Sequence, residues 1–178
     1  MKNAPIIYTT KPLFLLLGGA CVGTALELAK YLSDDVVKHD DAKIVLVSAT
    51  LVEKLSPSEL NAVIDHEVGH IHLGHAGLPK QYGGMDNCIV MMPDGNYFID
   101  NLSYEFEADA YSADRNGSEA MGSALVNTMA ICMDALADAL SKQMSQEECD
   151  ERMVDIRHNA NITLSPRLIN LSLIKGNK

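Results

Sequence analysis

The sequence predicts an α+β chain, mostly helical, with a small sheet or hairpin. Three observations carry this. Apolar residues recur at helical spacing over several long stretches, and two of these open on a capping signature, at Ser56–Glu59 and Ser145–Glu148. Only short segments, at Lys43–Ser48 and around a turn at Asp94-Gly95, have the composition of strands. Nine Met, no Trp and 5% aromatic residues suit an adaptable, helix-rich interior. With 178 residues, 47% hydrophobic and 21% charged, the chain is expected to form one domain over 1–178 with a sizeable core.

Taken in order, the first element is an apolar run. No charge interrupts Leu13 to Leu26, Pro12 stands in a helix-start position, and helical spacing continues through Glu27 to Leu32. The expectation is one buried helix from Pro12 to Leu32. Lys2 and Lys11 lend the run a superficial likeness to a signal peptide, but it is too short to span a bilayer as a stable helix. A charged loop over Ser33–Ala42 leads to the Ile- and Val-rich strand Lys43–Ser48. Ser56 then serves as N-cap, Pro57 suits the first helical position, and Glu59 closes the capping box. Leu60, Val63, Ile64, Val68 and Ile71 make an apolar stripe, so an amphipathic helix is expected from Pro57 to about Leu73.

Further on, Cys88–Met92 and Asn96–Ile99 flank Pro93-Asp94-Gly95 and read as a hairpin, which either reaches the cleft or covers the core. Either Asn96–Ile99 or Ile44–Val47 is expected to leave a free edge on which an extended peptide could pair. A second helix is expected through Asn101–Tyr111. Met121, Leu125, Met129, Cys132, Met133, Leu136 and Leu140 place another over Ser118–Lys142, its stripe read as core. Ser145 caps a helix to about Arg157, and Ser165-Pro166 marks the start of a short last one.

Within the helix from Pro57 lies His66-Glu67-Val68-Gly69-His70, an H-E-x-x-H pattern. Residues four apart share a helical face, so the two imidazoles point at a common spot and can hold one Zn²⁺. Glu67 projects beside that spot, placed to take a proton from a water attacking a carbonyl. A third ligand must come from elsewhere. Ten residues after His66 stands Ala76, and on a continued helix His75 lies about 900° round, on the opposite face. His72 is about 240° away. Both are expected to support a ligand from behind, pack or face solvent rather than ligate. The better candidate is Glu105, which shares a helical face with Asp109, whereas Glu107 projects about 200° away. Asp109 could accept the free ring N–H of His66 or His70, fixing its tautomer. On composition alone the same segment reads as a solvated acidic face.

Ile44–Ser48, Leu55–Leu60, His66–His75 and Tyr104–Asp109 together resemble the gluzincin zinc metallopeptidases of the CAAX-prenyl-protease and heat-shock-protease-X type, in residue, spacing and order. The resemblance covers about residues 43 to 116 and includes the Asp114-Arg115-x-Gly117 that closes the second helix, making 43–117 the core motif region. It implies a zincin-like fold with a small sheet or hairpin beside two ligand helices. It also implies a zinc-dependent endopeptidase with His66, His70 and Glu105 as ligands, Glu67 as base and Asp109 supporting a ligand. The chain departs from the family in two ways. The long apolar helices of membrane-embedded members are not expected here, and where members carry Thr-His-Pro this chain has Leu164-Ser165-Pro166. That leaves His158, Tyr97, Tyr104 and Arg167 as alternatives for stabilising an oxyanion.

Fourteen basic residues against 24 acidic ones give a net charge of −10, which argues against nucleic acid and anionic membrane surfaces as partners. Cys21, Cys88, Cys132 and Cys149 are scattered without a Cys-x-x-Cys pair, as in a reducing compartment. The expectation is a cytoplasmic Zn²⁺ peptidase acting on peptide or protein substrates, without a membrane span. Export or membrane association through 13–26 is the alternative location. A zinc-binding structural or regulatory protein that keeps the fold without proteolysis is the alternative function. The intact Glu67 favours the enzyme.

Overall fold

The chain is α+β and mostly helical, and a computed structural model describes residues 4–11, 19–24, 28, 32, 43–75, 90–91, 97–98 and 102–175. Strands β1 (Ile6–Thr9), β2 (Ala20–Thr24) and β3 (Lys43–Ser48) form one sheet in the order β1-β3-β2, with β1 parallel and β2 antiparallel to β3. Ile44, Val45, Leu46 and Val47 are all buried, as befits a strand covered on both faces. Alternation then divides them. Val45 and Val47 join Leu51, Leu55, Ala62, Val63, Ala113, Met121, Ala124 and Leu171 in one core, while Ile44 and Leu46 pack with Leu28 and Leu32 on the other face.

Two expectations fail here. Residues 20–24 are a strand, not part of a helix from Pro12 to Leu32, of which 12–18, 25–27 and 29–31 lie outside the described residues. A short apolar run fits a buried strand as well as a helix. Gly19, at φ 77°, interrupts any helix, and its carbonyl accepts from Ser48 N at 2.7 Å. Nor is Ile44–Val47 a free edge, because β3 is the central strand.

Five helices follow β3 among the described residues: α1 (Ala49–Lys54), α2 (Pro57–His72), α3 (Leu102–Asn116), α4 (Ser118–Ser141) and α5 (Gln146–Lys175). Helix α2 starts as expected. Ser56 Oγ accepts from Glu59 N, and the Glu59 carboxylate accepts from Ser56 N at 2.8 Å. The ends of α3 and α4 meet at Gly117, whose φ of 89° lets the chain turn between them. The expected hairpin is present as β4 (Val90–Met91) paired antiparallel with β5 (Tyr97–Phe98); its turn and the loop 33–42 lie outside the described residues.

Helix α5 corrects the sequence reading a third time. It runs unbroken through Pro166, where a separate short helix was expected. Proline there forfeits the bond to the Ile162 carbonyl. Tertiary packing offsets that loss, since Leu171 is buried in the main core and Ile174 packs against it. Helix α4 is also notable for its length and composition. Its 24 residues, with a mean hydropathy of 1.4 over the most apolar window, are enough to cross a membrane by length and composition alone. The sequence reading assigned that property to no segment. Met121 and Ala124 of α4 are nonetheless buried in the main core.

Helices α2 and α3 approach closely. A Cβ at Gly69 would meet Tyr111 Cδ1 at 3.1 Å and the Ala108 backbone at 3.3 Å. Ser112 Oγ donates to Ala62 O at 2.7 Å, and Asn116 Nδ2 donates to Asp65 Oδ2 at 2.8 Å. This close pairing brings the two motifs together.

Candidate metal centre

His66 and His70 lie one turn apart on α2 and are both buried. Their Nε2 atoms are 3.0 Å apart. Glu105, from the first turn of α3, sets Oε2 at 3.3 Å from His66 Nε2 and Oε1 at 3.4 Å from His70 Nε2. One donor atom from each of the three residues lies within 4.8 Å of the others. Tetrahedral zinc with bonds of about 2.0–2.1 Å separates its donors by about 3.3 Å, so this set fits the ion.

The far side of each imidazole is also engaged. His66 Nδ1 is 2.9 Å from Asp109 Oδ1, and Asp109 is fully buried. A carboxylate only accepts, so Nδ1 carries a proton toward Asp109; Nε2 faces Glu105, donating to it in the cationic ring and free to offer a lone pair in the neutral one. His70 Nδ1 is 3.1 Å from His75 Nδ1, and His75 Nε2 is 3.0 Å from Glu107 Oε2. The same logic runs inward. Glu107 accepts from His75 Nε2–H and His75 Nδ1 accepts from His70 Nδ1–H, so that in the neutral ring His70 Nε2 would be left with a lone pair.

Arg167, from α5, lies behind Asp109. Its Nε donates to Asp109 Oδ2 at 2.8 Å and Nη2 to Oδ1 at 2.6 Å. Nη1 is 2.9 Å from Glu105 Oε2. Burial opposes a charge on His66, yet hydrogen bonds to Asp109 and then Glu105 outweigh it and raise its pKa to about 9. Burial also disfavours charge on Glu105, but hydrogen bonds from His66 and His70 hold it well below the usual carboxylate range. Asp109 is likewise lowered against its burial, by Arg167 and His66. Glu67 goes the other way: burial pushes its pKa up, only partly opposed by His66 and His70. Its Oε2 is buried and has no hydrogen-bond partner among the described residues. An orphaned carboxylate oxygen beside three convergent donors fits a site for a cation.

The sequence model of Peptidase family M48 matches residues 39–163, more than half of the chain. The chain belongs to peptidase family M48. Members of this family are metal-dependent, generally on zinc. No curated protein and no solved structure matches this M48 chain significantly. The family match spans α2 and α3 and ends four residues before Arg167.

All five residues singled out from the sequence, His66, Glu67, His70, Glu105 and Asp109, come together in this M48 chain. His75 joins them from behind, one of the places the sequence left open for it, and Glu107 joins it in a role the sequence did not suggest. The 900° rotation assumed a continuing helix. Instead α2 ends at His72, and Gly74 at φ 81° folds the chain back, so that His75 N donates to His70 O at 2.8 Å. The signal was Gly74 itself, a helix-stop residue. His72 is exposed beside Tyr111, with ring centroids 5.3 Å apart. Among the oxyanion alternatives, Arg167 is held by two carboxylates, Tyr104 packs on His75 with centroids 4.6 Å apart, and His158 is exposed on α5. The Tyr97 side chain lies outside the described residues.

Proposed function

We propose that this M48 chain is a gluzincin of the CAAX-prenyl-protease and heat-shock-protease-X type, a zinc-dependent endopeptidase cleaving peptides or proteins. In this reading residues 1–178 act as one peptidase domain in the cytoplasm. His66, His70 and Glu105 would hold Zn²⁺, with Asp109 and His75 fixing the two imidazoles. When bound there, the ion would supply Lewis acidity for the scissile carbonyl and a water. Glu67 takes the proton of that water as its oxygen attacks the carbonyl carbon. It then delivers the proton to the amine nitrogen that leaves when the C–N bond breaks. A pKa raised by burial brings Glu67 towards the range where one group can serve as both acceptor and donor.

The observation that carries this reading is the convergence of Nε2 of His66, Nε2 of His70 and the Glu105 carboxylate from two separate helices, with Glu67 Oε2 buried beside them and without a hydrogen-bond partner among the described residues. The test is metal analysis of the purified chain, with peptide-library digestion in the presence and absence of chelator. About one zinc per chain and chelator-sensitive cleavage are expected. Glu67→Gln should keep the zinc and the fold while losing on the order of 10²–10⁴ in rate. Zinc bound without any cleavage would point instead to the non-proteolytic structural or regulatory reading.

A further inference from the structure

Arg167 lies beyond the residues the family model matches, on a helix whose sequence carries no metal-site pattern. Its side chain is only 17% exposed, and among the described residues its hydrogen bonds and ion pairs run to the candidate metal centre. The pairing is of the planar, two-pronged kind that a guanidinium makes and an ammonium does not. Nε and Nη2 grip both oxygens of Asp109, and Nη1 reaches the Glu105 oxygen that faces His66. One guanidinium thus ties together the carboxylate that orients His66 and the carboxylate that completes the donor set.

The charges make the same point. Glu67, Glu105 and Asp109 are three carboxylates packed in one largely buried space, with Arg167 as the permanent cation among them. Once all are ionised and the imidazoles neutral, two positive charges are lacking. Buried charges are tolerated only when paired, and a single divalent cation supplies the difference. Without Arg167 a dication would leave an uncompensated buried carboxylate.

We propose that Arg167 is a positioning residue that completes the metal centre from outside the family core, holding Asp109 and Glu105 in the geometry and charge balance that accept one divalent cation. The proposal rests on the metal-centre reading above. Helix α5 is therefore required for metal affinity.

The test is Zn²⁺ titration of the full chain in competition with a chromophoric chelator, for the unaltered protein, Arg167→Met, Arg167→Lys, Asp109→Asn and the Arg167→Met/Asp109→Asn double variant. Arg167→Met is expected to weaken zinc binding by roughly 10- to 100-fold, as losses of outer partners do. Arg167→Lys should weaken it comparably, because an ammonium keeps the charge but cannot span both carboxylates. The double variant should lose clearly less than the product of the two single losses, because part of the effect of Arg167 passes through Asp109. Zinc affinity unchanged or increased in Arg167→Met, or single losses that simply multiply, would overturn the proposal. Circular dichroism checks the fold of each variant. Should Arg167→Met not fold, unaltered affinity in Arg167→Lys overturns the proposal and weakened affinity in that folded variant supports it. Failure of the unaltered chain to bind zinc would instead sink the metal reading itself.

Discussion

His70 and His75 meet through their Nδ1 atoms at 3.1 Å, although α2 has already ended between them. The ligand candidate on the helix and the residue just past its cap are thereby joined, with Glu107 behind them at 3.0 Å. His75→Phe keeps a ring against Tyr104 but removes the acceptor for His70 Nδ1–H. Zinc affinity is expected to fall by roughly 10- to 100-fold, with the fold intact by circular dichroism. Unaltered affinity in a chelator competition would show that His70 needs no such partner.

Glu105 and Glu107 are two residues apart on α3 and have different jobs. Glu105→Ala should strip the metal, since it removes a donor. Glu107→Ala should weaken zinc less than tenfold, because the Glu107 side chain is 58% exposed and water can take over its bond to His75. The check is the zinc content of both variants after dialysis. Metal lost from Glu107→Ala and kept by Glu105→Ala would invert the assignment.

Glu59 gives a pH signature far from the metal centre. Hydrogen bonds from the Ser56 side chain and backbone, against a small opposing effect of burial, lower its pKa from 4.5 to about 2, helped by Ser123 and Asn127 of α4. A lowered folded-state pKa contributes stability above the unfolded value, and that stability is lost as pH falls through the folded value. The window therefore runs from about pH 4.5 down to about 2. Glu59→Ala should cost about 1 kcal/mol at neutral pH, a modest figure because the group is largely solvated. The gap from the unaltered protein in urea unfolding should narrow across that window. A gap that stays constant down to pH 2 would refute the assignment.

Ser112 is fully buried, and its hydroxyl tethers α3 to α2 through Ala62 O. Ser112→Ala should destabilise the chain by about 1 kcal/mol, the net worth of one such bond. Urea unfolding measures it, and zinc stoichiometry should not change.

The sequence carried the fold class and the residues that meet in the candidate centre, but not every element. A capping box, an apolar stripe and two histidines four apart are local signals, and α2 realises each of them. Glu105 and Asp109 were readable for the same reason, their spacing on one helical face. Residues 20–24 were misread because an apolar run does not declare its period, and only pairing with β3 makes it a strand. Pro166 was misread as a helix start because proline's local cost is visible in sequence, while the burial of Leu171 that offsets it is not. His75 and Arg167 reach the site through a chain reversal and a distant helix, relationships that spacing does not encode.

Gly69 is one of the two free positions in the H-E-x-x-H pattern, yet the helix pair leaves it no freedom. Tyr111 Cδ1 and Cβ stand 3.1 and 3.2 Å from where its first side-chain carbon would be, and the Ala108 backbone stands at 3.3 Å. Tyrosine can swing aside, but a main chain held by Asp109 one residue later cannot move without carrying a charged partner of the site with it. Here the spelling of the motif understates its own grammar. The distance between the two halves of the candidate centre is set by a hydrogen atom, and a bulkier letter at position 69 would be read out as a shifted carboxylate on the neighbouring helix.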